Sequence, residues 1–150
     1  MSNCQPDNRR PVDYNLRRRL LAELEETTPE AIWARVDEGL PKLWMTSQAL
    51  HLRRRRPQVF GPAGKYQPLQ ARGSRAEHVV AFAREGKAIT VVPRLVLQLG
   101  REWGDTVLDL PAGRWCNVLT GDELQGGPVR VGEVLTRFPI GLLSQEEATA

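Results

Sequence analysis

The chain has 150 residues, 41% apolar and 26% charged, with a formal net charge of +3. That is room for one core, or for a small helical part beside a β-domain, and an ordinary globular composition. No apolar run approaches the roughly 20 residues of a membrane span, Met1 to Asn15 is too polar for a secretion signal, and Cys4, Cys116, His51 and His78 have no ligand-like spacing, so the expectation is a cytoplasmic chain with free thiols, no metal, no cofactor and no membrane partner.

In chain order, Asn15 to Glu25 predicts a helix, because Leu16, Leu20 and Leu24 recur every four residues with Leu21 widening the stripe. Thr28 caps a second helix with Pro29 in its first turn. Ala31, Ile32, Ala34 and Val36 fill that helix, and Gly39 ends it. Leu40-Pro41 breaks to Lys42–Met45, which is short and apolar. Thr46 or Ser47 then caps a third helix that runs through Arg53–Arg56 and stops at Pro57. From Gly61 onward the texture becomes strand-like, with runs at 66–71, 77–84, 87–92, 95–99, 106–110, 115–119, 129–131 and 139–143. Glu85-Gly86 is a tight-turn signal. Pro111-Ala112-Gly113 predicts a second hairpin turn with Gly113 at positive φ, and Trp115 falls in the middle of an edge-like strand. Trp115, Val107, Leu110, Val118 and Leu142 are the expected core. No internal repeat or low-complexity segment interrupts the chain.

Four segments in order carry a family resemblance: Pro6-Asp7-Asn8-Arg9-Arg10-Pro11-Val12-Asp13, Lys42 to Leu50, Gly104 to Gly121, and Phe138 to Leu143. They resemble the α-amylase superfamily, and within it the maltooligosyl trehalose synthase family. The resemblance implies an α+β chain. Residues 1–60 would be a short helical remnant of the end of a TIM-type barrel, and residues 61–150 an all-β, antiparallel, sandwich-like C-terminal domain. It also implies the parent reaction, an intramolecular transglucosylation of maltooligosaccharides that needs two carboxylates about 5 Å apart on a barrel of about 250 residues. In the family those carboxylates precede the Asp-Asn-Arg-Arg-Pro segment, which starts here at residue 7. The expectation is therefore a C-terminal, non-catalytic portion of the enzyme, with no catalytic residue and no cofactor of its own.

The resemblance also nominates substrate contacts. Amylase-type enzymes hold a glucose unit with the Asp and Arg of an Asp-Pro-x-x-Arg loop, because a carboxylate and a guanidinium bond sugar hydroxyls with fixed geometry. Here Pro6 places the Arg at Arg9, while the Asp position is Gln5, leaving Asp7 as the second candidate. Of the four tryptophans, Trp33 and Trp44 fall on apolar faces and belong with Trp115 in the core. Trp103, between Gly100 and Gly104, is the candidate for stacking on a sugar ring. Arg53 to Arg56 are consecutive and so point about 100° apart on a helix, which favours a solvated helix end over a nucleic-acid stripe. Ser47, Ser74 and Ser144 have no nucleophile-elbow context. Three classes stay open: the structural portion of the synthase, a stand-alone carbohydrate-binding module, and a basic nucleic-acid binder. A lone barrel strand would be unpaired, so residues 14–56 are expected either to repack as a helical cluster, with Lys42–Met45 joining the following helix, or to bury their face in a homo-oligomer.

Overall fold

The computed structural model describes residues 12–100 and 102–146. Cys4, Asp7 and Arg9 lie outside them. The described chain opens with α1 (Tyr14–Glu23), started by the Asp13 carboxylate, which accepts from the Leu16 amide at 2.9 Å. A 3₁₀ turn, Leu24–Glu26, follows. Leu20 and Leu24 of the predicted stripe are buried, whereas Leu16 and Leu21 stay partly exposed. α2 (Pro29–Ala34) has the predicted Thr28 cap, whose hydroxyl accepts from the Ala31 amide, and Pro29 in its first turn. Gly39, at φ 76°, ends the 3₁₀ turn Val36–Glu38 that follows.

α3 (Leu40–Arg55) takes in Lys42–Met45, which joins the following helix as expected for a barrel strand without neighbours. Gly39 turns the chain and Pro41 sits in the first helical turn, where its missing N–H is harmless. The helix therefore begins at Leu40, and Thr46 and Ser47 lie inside it instead of capping it. A four-residue strand here would have had no partner, while helical backbone satisfies itself. α4 (Pro57–Phe60) adds one turn before the β region.

The strands are β1 (Tyr66–Leu69), β2 (Ala71–Arg72), β3 (Val79–Arg84), β4 (Ala88–Pro93), β5 (Val107–Asn117), β6 (Glu123–Arg130) and β7 (Gly141–Gln145), with the single turns α5 (Val96–Leu99) and α6 (Val131–Val134) between them. They form one antiparallel sheet in the order β1-β3-β4-β7-β5-β2, with β6 on the other edge of β5. The expected antiparallel, sandwich-like domain is built as a single curled sheet. β1 and β2 are separated only by Gln70, yet β1 pairs with β3 at one end of the order and β2 with β5 at the other, so the sheet must bend round to reach both. Its concave side holds one core, including Ala81, Ala83, Ile89, Val91, Leu108, Leu110, Trp115 and Leu143.

A second core lies outside the curl, where the helices cover the sheet: Leu20, Leu24, Ile32, Leu40, Leu52 and Val59 meet Ala88, Leu119, Phe138 and Leu142. β7 therefore has both faces buried. Leu143 faces the inner core and Leu142 the helices, which is why Gly141–Ser144 lacks polar alternation.

Three local expectations change. Leu95–Leu99 is a helical turn entered through Leu95 at φ 52°, not a strand. β5 runs through Pro111-Ala112-Gly113 as one strand with a bulge, because β6 pairs with it on both sides of the register shift between Leu110 and Arg114. Trp115 accordingly sits in an interior strand, flanked by Leu124 of β6 and Gln145 of β7, and is fully buried. Gly113 does take positive φ, 124°, and Glu85-Gly86 turns with both residues at positive φ. Of the expected core, Trp115, Leu110 and Leu142 are buried, while Val107 and Val118 are half-buried. Trp33, expected in the core, is 46% exposed at the rim of the helical layer, with its ring edge-on to Phe138.

Candidate functional site

Of the substrate contacts nominated from the sequence, Asp7 and Arg9 lie outside the described residues, and Trp103 is the one the structure describes. Trp103 is half-buried against the inner core, its side chain lying over Gly132 and its carbonyl accepting from the Thr106 amide at 3.1 Å. His78 is buried, with Nδ1 3.3 Å from the Arg94 carbonyl, and His51 is exposed on α3. Among the described residues no three His, Cys, Asp or Glu side chains cluster as a metal site would require, and no helix is long and apolar enough to cross a membrane. Arg53, Arg54 and Arg55 are exposed around the last turn of α3, where the helix dipole favours cations.

An open groove of ≈ 360 Å³ separates the end of α3 from β5 and β7, lined by Leu52, Arg55, Cys116, Val118 and Glu146 among others. The Cys116 thiol in its wall is pushed up by burial first and by the carboxylates of Glu146, Glu123 and Asp122 next. A raised thiol carries little thiolate at neutral pH.

The chemically most specific arrangement is structural, where the helices meet the sheet. Asn117 is buried. Its amide donates to the Val134 carbonyl at 3.3 Å, and its carbonyl oxygen accepts from the backbone amides of Leu119 at 3.2 Å and Leu142 at 3.3 Å. Arg137 donates to Glu30 at 2.6 Å, to the Thr120 carbonyl at 2.9 Å and to Asp122 at 3.0 Å, tying α2 to the β5–β6 turn. The Arg137 hydrogen bond holds the Glu30 carboxyl below its ordinary range. The Trp44 indole adds a bond to the Leu119 carbonyl at 3.2 Å. None of these partners adjoins in sequence, so none was nominated.

The β5 bulge is satisfied in the same manner. The carbonyls of Pro111, Ala112 and Gly113 accept from the Trp115 indole at 2.9 Å, the Gln145 amide at 2.8 Å and the Gln125 amide at 3.2 Å. Three side chains replace the ladder bonds that the bulge removes.

No family model matches the chain. It is 38% identical over 148 residues to the putative maltooligosyl trehalose synthases of two strains of Mycobacterium tuberculosis, CDC 1551 / Oshkosh and H37Rv. The chain matches the C-terminal part of maltooligosyl trehalose synthase. The match takes in 98% of this chain and only 17% of those relatives. Among solved structures, maltooligosyltrehalose synthase from Arthrobacter ramosus superposes with a TM-score of 0.79 at 37% identity, over 95% of this chain and 18% of that one, and a point mutant of it gives 0.80. A further maltooligosyl trehalose synthase shares the fold, with a TM-score of 0.63 at 23% identity. A non-catalytic C-terminal part of the synthase is the role this match fits.

Proposed function

We propose that the chain serves as the non-catalytic C-terminal portion of a maltooligosyl trehalose synthase, with α1 to α4 as the last elements of its catalytic barrel and the curled sheet as its C-terminal β-domain. The observation that carries the reading is identity of 38% along 98% of the chain, confined to 17% of the relatives' length.

In this role the chain supplies no nucleophile and no acid/base, and maltooligosaccharide is the substrate of the whole enzyme. Localisation in the cytoplasm and the isomerase class follow from the same reading. Incubating the chain alone with maltopentaose should give no maltooligosyl trehalose. Adding it to a synthase that lacks the matched segment should restore synthesis. Product from the chain alone, at ordinary enzymatic turnover, would refute the proposal.

A further inference from the structure

The convex face of the sheet carries an aromatic pair that none of the roles above uses. Tyr66 of β1 and Phe82 of β3 are diagonal neighbours, two residues apart in register and so on the same face, since Tyr66 is opposite Arg84 and Phe82 opposite Pro68. Their ring centroids are 5.1 Å apart and their planes tilted by 31°. Tyr66 is 59% exposed and Phe82 half-buried, so the pair is open to solvent. The helices stop short of it, covering Ala88 and Leu142 farther along the same face. Two polar side chains stand beside the rings. Arg84 is directly across from Tyr66, with one guanidinium nitrogen 3.4 Å from the Gly61 carbonyl, and Thr90 is directly across from Phe82 on β4.

We propose that Tyr66 and Phe82 form a platform for an α-1,4-linked glucan chain, separate from any catalytic centre. A pyranose ring has an apolar C–H face and hydroxyls around its rim. Such a ring fits an aromatic surface with a guanidinium and a hydroxyl at its border. A peptide strand fits less well, because Pro68 removes the N–H that an added strand would need at this edge. The restriction to α-1,4-linked glucose, within the wider class of pyranoses, rests on the function proposed above.

The test is a titration of the ¹⁵N-labelled full chain with maltoheptaose. Shifts should concentrate at Tyr66, Phe82, Arg84 and Thr90. Tyr66→Ala should weaken binding about tenfold, the loss of one stacking contact, while Tyr66→Phe keeps the ring and the affinity, and Leu97→Ala on the distant α5 leaves both unchanged. Absence of shifts at millimolar sugar, shifts centred on Trp103, or full affinity in Tyr66→Ala would each overturn the platform. Protection of this face only by the remainder of a synthase would overturn it too, marking a protein interface instead. The role as a C-terminal portion is judged separately, by restored synthesis.

Discussion

At Asn117 a single carboxamide satisfies groups from three segments: the Val134 carbonyl and the amides of Leu119 and Leu142. Among the described residues no buried side-chain polar atom lacks a partner, so truncation here creates vacancies where there were none. Asn117→Ala should cost about 2–4 kcal/mol, since each unpaired buried group costs roughly 1–3 kcal/mol. Urea unfolding measures it. Trp115→Ala, which also frees the Pro111 carbonyl, should cost about 3–5 kcal/mol by the same measurement. Arg137 differs because its ion pairs are partly exposed, and the sign of its effect follows from pH. Glu30 has a depressed folded-state pKa, so its contribution is present above its ordinary value of 4.5 and fades as pH falls through the folded value. Arg137, already raised, stays charged over that range. The stability difference between the parent chain and Arg137→Met should therefore be largest near neutrality and shrink below pH about 4. A difference that grows on acidification would count against the Glu30 pairing.

The elements divide according to how local their causes are. α1 and α2 were legible because Asp13, Thr28 and Pro29 act within a few residues of the helices they start. α3 was cut short in the sequence reading because Thr46 and Ser47 look like caps when the turn at Gly39 is not weighed against them. The β5 bulge was read as a hairpin for the same reason: Pro-Ala-Gly is turn chemistry, and what keeps the strand straight is β6 on its far side. β6 itself was barely visible, since Gln125-Gly126-Gly127-Pro128 is poor strand sequence. Its structural reason is contact, not propensity. A Cβ on Gly126 would stand 2.3 Å from the Pro111 carbonyl oxygen and 2.8 Å from the Ala112 Cα. Gly126→Ala must push the bulge away and should cost about 1–3 kcal/mol, with the indole bond of Trp115 to Pro111 strained in consequence. Loss of protection from hydrogen exchange around Pro111–Trp115 would show it. Asn117 was invisible for a related reason, because its partners lie 2, 17 and 25 residues away.

On the scale of the whole molecule, the sequence divides near residues 57–65, while the second core crosses that division. Phe138, Leu142, Ala88 and Leu119 of the sheet are buried by Leu20, Leu24, Ile32, Leu40, Leu52 and Val59 of the helices. Trp44, Arg137 and Glu30 add hydrogen bonds across the same junction. Neither layer can leave without uncovering apolar surface on the other, so the two should unfold together. The tryptophans report each layer: Trp33 and Trp44 stand in the helical segment, Trp103 and Trp115 in the sheet segment. A chain carrying Trp103→Phe and Trp115→Phe reads the helices alone, and one carrying Trp33→Phe and Trp44→Phe reads the sheet. Each chain serves as its own reference, because the substitutions shift stability as well as signal. In each, the fluorescence midpoint in urea should coincide with that chain's own far-ultraviolet dichroism. A helical midpoint clearly below the midpoint of the dichroism would show that the helices detach first. The second core would then be too weak to join the layers, and the helical segment would depend on surfaces beyond this chain to stay folded.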